Sequence, residues 1–530
     1  MAFALLLPDG VVAVRVVTDE ENEEAATLIL HGERCEKRTF VTYSRNAVYT
    51  FYLNDLKDDT KYRYRVNDIT GSFKTLPRCK QDAKFRLESC FGSAPKDGVF
   101  STEDVDFSLV VGDAIYADQF FLGNVSKIEK YRPAITEKDY SEIYETNFYK
   151  VEKIMESLKG HLTVFLADDH DSFIDDGFSF FRKFTYNETA MQVATNIVYA
   201  MYAIGAPETL APPPPIPALP QDDEHVLWSI NSPNYIKSKS NGLQSFKDHL
   251  FPTTKYFSFK HGEEIEFFVI DMNTERNFEE PMSLMSDTQM QWLLKGLKNS
   301  KATVKFIVTS QGFTDNIIVP RTPMTASATK VSFDELNNLL VHNPDIYTPL
   351  VTLQGAFPQG LDLYNSLSNE EKYQVFGKAV ALLNGAGWMF FDKRNTIYNT
   401  KKQRDQVVHF IKKYNIEGVI FLSGDLHTSY ISYVDDLSTG AFPLLEITGS
   451  PNGSTPETTL LQYMADHPEQ RQYIYALGEK NYATISTSLK YSKLKVEFTK
   501  EKGVDTVIID LDKYKRLQKG ENVTGVVTIN

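Results

Sequence analysis

"GVIFLSGDLH" (residues 418–427) sets a run of strand-forming, apolar residues, valine to leucine at 419–422, and small residues before an aspartate and a histidine. A run of that length with no polar alternation reads as a strand buried on both faces. Its end is chemically different from its body. Asp425 and His427 stand two apart, so in extended chain they share one side, and both can bind a cation. Three more runs of strand length end in the same way. "KFRLESC" (84–90) delivers Cys90, and "DFSLVVGD" (106–113) delivers Asp113 with Tyr116 three residues on. "HLTVFLADDHD" (161–171) delivers Asp168, Asp169, His170 and Asp171. In α/β proteins the functional crevice lies beyond the carboxyl ends of the strands.

Two further apolar runs, "EIEFFVIDM" (264–272) and "VKFIVTSQG" (304–312), complete the strand set, and helical patterns separate some of its members. These are "KDYSEIYETNFYKVEKIMESLKG" (138–160), "SDTQMQWLLKGLKNS" (286–300) and "TKKQRDQVVHFIKKYN" (400–415). The last places Val407, Val408, Phe410 and Ile411 on one face and lysines opposite. Strands alternating with helices predict an α/β domain whose sheet is covered by helices. "KLKVEFTKEKGVDTVIIDL" (493–511) predicts a hairpin turning at Lys502-Gly503.

The first 79 residues have a different texture. "VVAVRVV", "ATLILHG", "RTFVTYS", "AVYTFYLNDL" and "KYRYRV" are short, β-branched and aromatic, with turn residues between them. They predict a small β-sandwich of immunoglobulin or fibronectin type III shape over 1–79, with an α/β domain over 80–530. The proline run "APPPPIPALP" (211–220) cannot be helix or inner strand, and with the long 313–385 stretch it is expected to form a lid over the crevice.

At 530 residues the chain exceeds one small core, and 42% apolar with 24% charged residues is a globular composition. No apolar run reaches the length of a membrane span. The opening "MAFALLLPDG" lacks a basic segment, so no signal peptide is expected in it. The chain as written reads as cytoplasmic, or as exported had a leader been removed. Three cysteines are too few for a disulfide framework. With a net charge of −14 and no long basic run, a phosphate-neutralising nucleic-acid surface is not expected. An acidic protein that binds an anion needs a local positive source, and a metal ion is the obvious one.

Taken singly, each strand end has an ordinary reading. Cys90 is a small buried hydrophobe, the Gly-Asp pair is a turn, Tyr116 is core and "DDHD" is a solvated charge cluster. Jointly they favour a cation, because adjacent carboxylates repel unless one neutralises them.

"SC" at 89–90, "GDAIYAD" (112–118), "FLADDHD" (165–171) and "LSGDLH" (422–427) together resemble the PhoD-type alkaline phosphatases and phosphodiesterases of the calcineurin-like metallophosphoesterase superfamily. "FFVIDMNTERN", "SDTQMQWLLKGLKNSKATVKFIVTSQ" and "KKQRDQVVHFIKKYNIEGVIFLSGDLHTS" extend the likeness in order and spacing. The resemblance implies a central two-sheet β-sandwich flanked by helices, with a binuclear metal site. It implies that Asp113 bridges both metals and that Cys90, Tyr116 and His427 complete the first, with Fe3+ favoured by thiolate and tyrosinate. Asp113, Asp425 and a carboxylate of the "DDHD" run complete the second. Asp169 stands at the usual asparagine position, Asp168 is the alternative, and the ion is Ca2+ or another divalent such as Mn2+ or Zn2+. His170 would protonate the leaving oxygen or hold a phosphate oxygen, or else orient a carboxylate. The substrate implied is a small phosphate mono- or diester.

Departures from the family pattern lie elsewhere: Tyr140-Ser141 for a tyrosine-arginine pair, Arg276 displaced, and "SFIDDG" (172–177) after His170-Asp171. A non-catalytic binding or adhesive protein on a decayed scaffold is the competing expectation. It is disfavoured because every ligand position is filled by a residue able to coordinate.

Overall fold

Alternating side chains on the strand Ile265–Val269 show how the layers are built. Phe267 joins a core that includes Phe85 and Phe107, whereas Phe268 joins a second core with Leu293, Leu297, Val407 and Ile411. In the computed structural model the described residues are 2–7, 10–18, 27–31, 33–35, 38–43, 46–53, 55–92, 95–116, 120–121, 131–132, 143, 145–172, 256–272, 285–314 and 400–530. The statements below concern these. The proline run 211–220, residues 315–385, Tyr140, Ser141 and Arg276 lie outside them, and with them the expected lid.

Two large sheets form the frame. One has seven strands, in the order Phe257–His261, Ile265–Val269, Val304–Val308, Val419–Ser423, Leu445–Thr448, Ser429–Tyr433 and Tyr473–Leu477. Its second to fifth strands run parallel. The other has eleven. At its centre Lys84–Glu88, Phe107–Val111 and Leu162–Leu166 run parallel, with Phe107 opposite Phe85 and Leu162. The strand Asn481–Ser488 pairs antiparallel with Lys84–Glu88, and the expected hairpin, Lys493–Lys500 with Val504–Asp510, follows it outward.

Phenylalanines fill the space between the sheets. Phe85 meets Phe267 and Phe306 edge-on at 5.2 and 5.4 Å, and Phe107 meets Phe259 at 5.4 Å. Edge-to-face packing adds to the roughly 2 kcal/mol that burying each ring contributes. On the far face of the seven-stranded sheet lie the helices Asp287–Asn299 and Thr400–Lys413. The first is capped by Ser286, whose hydroxyl accepts the Gln289 N–H at 3.1 Å. A sheet covered on both faces explains the continuous apolar runs.

Strands from the first 79 residues divide over two sheets. Ala2–Leu6 runs parallel to Leu162–Leu166, with Ala4 opposite Leu162, so its ladder crosses residue 79 and extends the eleven-stranded sheet through Val12–Thr18, Asn46–Leu53 and Arg38–Tyr43. Glu33–Cys35, Leu28–Leu30, Lys61–Val66 and Ile69–Lys74 form a separate four-stranded sheet. The 138–160 segment differs from a single helix. Its described part makes a wide turn over Glu145–Tyr149, and a helix starts afresh at Glu152–Ser157 because Val151 is extended, with φ −87° and ψ 99°. Among the described residues no helix is long and apolar enough to cross a membrane.

Candidate metal centre

Cys90, Asp113, Asp425 and His427 share an unusual backbone conformation: φ is 54°, 56°, 69° and 51°. They are four of the ten described non-glycine residues with positive φ. An L-residue in the left-handed region costs on the order of 1–2 kcal/mol, somewhat less for aspartate. Each strand thus ends in a sharp reversal that the surrounding structure must hold, and such strain clusters at functional sites.

Glycines make two of these reversals possible. Gly112, at φ +93°, precedes Asp113, and a Cβ there would lie 2.5 Å from the Cβ of Asp168. A Cβ on Gly424, before Asp425, would lie 2.5 Å from the Ser89 hydroxyl. The close approach brings three strand ends within contact distance. Gly424 N–H also bonds the Ser310 carbonyl at 3.1 Å, joining the end of Val304–Val308 to the group.

The donor atoms converge. Cys90 Sγ, a carboxylate oxygen of Asp113 and a ring nitrogen of His427 lie within 4.8 Å of one another. The Cys90 thiol reaches Asp113 Oδ2 and the Asp425 carbonyl, each at 3.5 Å. The Tyr116 hydroxyl is 3.0 Å from His427 Nε2, and the His170 ring stacks on Tyr116 with centroids 4.1 Å apart. Cys90, Asp113, Tyr116, Asp168 and His170 are all buried. In the protein chain alone, burial first and then the Asp425 charge push the Cys90 thiol up to about 11, against donation from Ser450 and Ser89. A cation beside the sulfur would reverse that preference.

A family model described as PhoD-like phosphatase matches residues 237–503. The chain belongs to the PhoD-like phosphatase family. It is a phosphate ester hydrolase. A solved structure of PhoD superposes with a TM-score of 0.59 at 14% identity, covering 100% of this chain and 91% of that one, so the two share a fold. A maltogenic amylase from S. marinus gives a TM-score of 0.16 at 10% identity over 96% of this chain and 76% of its own, too low to bear on the fold. No curated protein matches the chain.

In this PhoD-like phosphatase, separate strand ends bring Cys90, Asp113 and His427 together, with the Tyr116 hydroxyl on His427, the His170 ring on Tyr116, the Asp425 carbonyl on Cys90 and the Asp168 side chain beside Gly112. Asp169 begins the turn Asp169–Ser172, but its side chain lies outside the described residues. The group Cys90, Asp113 and His427 is a possible metal-ligand set.

Asp171, one of the acids of the "DDHD" run, takes a supporting place, and two further contributors, Glu446 and the 449–454 segment, are not singled out by the sequence. Asp171 is buried, and its carboxylate accepts the N–H groups of Asp113 and Asp168 at 2.8 Å and of Ile115 at 3.1 Å. Glu446 accepts the N–H groups of Phe313 and Thr314 at 2.7 Å and the Ser423 hydroxyl at 2.7 Å, fixing the chain after Val304–Val308. The segment "GSPNGS" (449–454) wraps the Cys90 turn: Gly453 N–H and Ser454 N–H both bond the Cys90 carbonyl, at 3.0 and 3.1 Å. A "DHD" run and an acid in a strand could have suggested the first two. A Gly/Ser/Pro/Asn stretch reads as any turn.

Proposed function

We propose that the converged strand ends form a binuclear metal centre that hydrolyses small phosphate mono- or diesters. Cys90, Tyr116, His427 and Asp113 would hold Fe3+, a thiolate, phenolate and imidazole set being suited to it. Asp113, Asp425 and Asp168 or Asp169 would hold a hard divalent cation, Ca2+ or else Mn2+ or Zn2+, with Asp113 shared. When bound, such a pair supplies activation of water and neutralisation of charge on the phosphate. The observation that carries the reading is the approach of Cys90 Sγ, Asp113 and His427 to within 4.8 Å from three distant stretches of chain.

The residues divide the remaining work. Asp113 and Asp171 keep the central turn in its strained shape, one as shared ligand and the other as its backbone anchor. His170, with its ring lying on Tyr116, protonates the leaving oxygen or holds a phosphate oxygen. Residues 1–79 are read as a β module joined edge-on to the catalytic part, 80–530, through the pairing of Ala4 with Leu162.

The experiment is elemental analysis of the purified protein with hydrolysis of para-nitrophenyl phosphate and its bis ester. Iron plus a divalent metal, with turnover lost on chelation, supports the centre. Turnover that survives complete metal removal rejects it.

A further inference from the structure

The two donors that distinguish this ligand set, a thiol and a phenol, are each hydrogen-bonded by a serine from the same short segment. Ser450 Oγ donates to Cys90 Sγ at 3.1 Å, and Ser454 Oγ donates to the Tyr116 oxygen at 2.5 Å. Both serines are buried. What holds the segment in place is separate from these hydroxyls. Asn452 N–H bonds the Ser89 carbonyl and Asn452 Oδ1 accepts the Ser89 N–H, both at 3.0 Å, while Asn452 Nδ2 donates to the Val99 carbonyl at 3.0 Å. Gly453 and Ser454 add their N–H bonds to the Cys90 carbonyl. The Ser429 hydroxyl and the Asn481 amide also bond the Ser450 backbone. The backbone, Asn452, Ser429 and Asn481 therefore set the position, and the Ser450 and Ser454 hydroxyls are left to act on the donor atoms.

We propose that Ser450 and Ser454 are positioning residues that tune the Cys90 sulfur and the Tyr116 oxygen toward a bound metal. A hydrogen bond to a thiolate or phenolate draws electron density away from the metal, and bonds of this kind set the electronic properties of thiolate sites. A purely structural role would leave the electronic spectrum of the loaded site alone. The inference rests on the ferric reading of the first metal position.

The test is visible absorption of the iron-loaded protein, where phenolate bound to ferric iron gives a charge-transfer band. In Ser454→Ala the phenolate loses the Ser454 hydrogen bond and becomes the stronger donor, so the band moves to longer wavelength. Ser454→Thr keeps a hydroxyl and the wild-type band. Ser450→Ala moves the sulfur-to-iron transition in the same direction. Bands at wild-type positions in both alanine variants overturn the proposal while leaving the iron reading intact. A colourless wild type that holds other metals overturns the iron reading itself, and the tuning role with it.

Discussion

The Asp171 carboxylate accepts the backbone N–H of Asp113 at 2.8 Å, so the residue proposed to be shared between two ions is held through its main chain. The same carboxylate binds Asp168 N–H and Ile115 N–H, tying the end of Phe107–Val111 to the end of Leu162–Leu166. Asp171→Ala removes an acceptor from three buried N–H groups, at roughly 1–3 kcal/mol each. Urea unfolding should show that loss, and metal titration should show affinity lower by roughly 10–100-fold. Unchanged metal affinity would remove Asp171 from the support of the site.

His170 is expected to serve the reaction rather than the metals. In His170→Gln, kcat should fall by about 10²–10⁴-fold with both metals retained. The fall should be smaller on an ester whose leaving group needs no proton, such as para-nitrophenyl phosphate, than on an alkyl phosphate. Equal losses on both substrates would point to a role in holding a phosphate oxygen instead.

Gly112 tests the close approach of two strand ends. An added Cβ lies 2.5 Å from Asp168 Cβ, and φ of +93° is unfavourable for any side chain. Gly112→Ala should therefore separate Asp113 from Asp168 and cost metal occupancy at the carboxylate position before the cysteine position. Loss of iron with the divalent ion retained would contradict that order.

The strand bodies were legible from the chain because parallel strands buried on both faces leave continuous apolar runs, and the acids at their ends interrupt those runs visibly. "VIFLSGDLH" is an example: Val419–Ser423 is the strand, and Asp425 and His427 follow in reversed backbone. The supports were not legible. Ser450 lies 360 residues from the cysteine it bonds, and nothing in Gly-Ser-Pro-Asn-Gly-Ser distinguishes it from another surface turn. The β character of the first 79 residues could be read, but the pairing of Ala2–Leu6 with Leu162–Leu166 could not, because a strand edge offers only backbone groups that carry no sequence signature. In the 138–160 segment, helix-forming side chains continue through a backbone that turns at Val151.

His161, at the start of the strand that leads to Asp168, makes stability depend on acid. Its Nε2 lies 2.9 Å from both Arg86 Nη2 and Ser108 Oγ. Burial first, and then the Arg86 charge, lower its pKa from 6.5 to about 3. The folded protein therefore keeps this ring neutral while the unfolded chain protonates it below 6.5. The contribution is complete above pH 6.5 and is lost progressively as pH falls toward 3, reaching roughly 2–3 kcal/mol at pH 4.5. His161→Gln should lose less stability than the wild type between pH 7 and 4.5 in urea unfolding. Identical losses would assign the acid sensitivity to other groups.

The most direct measurement is the metal content of the wild type and of Asp113→Asn, determined alongside ester hydrolysis. Close to two ions per chain are expected in the wild type, one of them iron, with loss of both the pair and the hydrolysis in the variant. A variant that keeps its ions and its turnover would rule out the binuclear centre, because no ion would then depend on the shared aspartate.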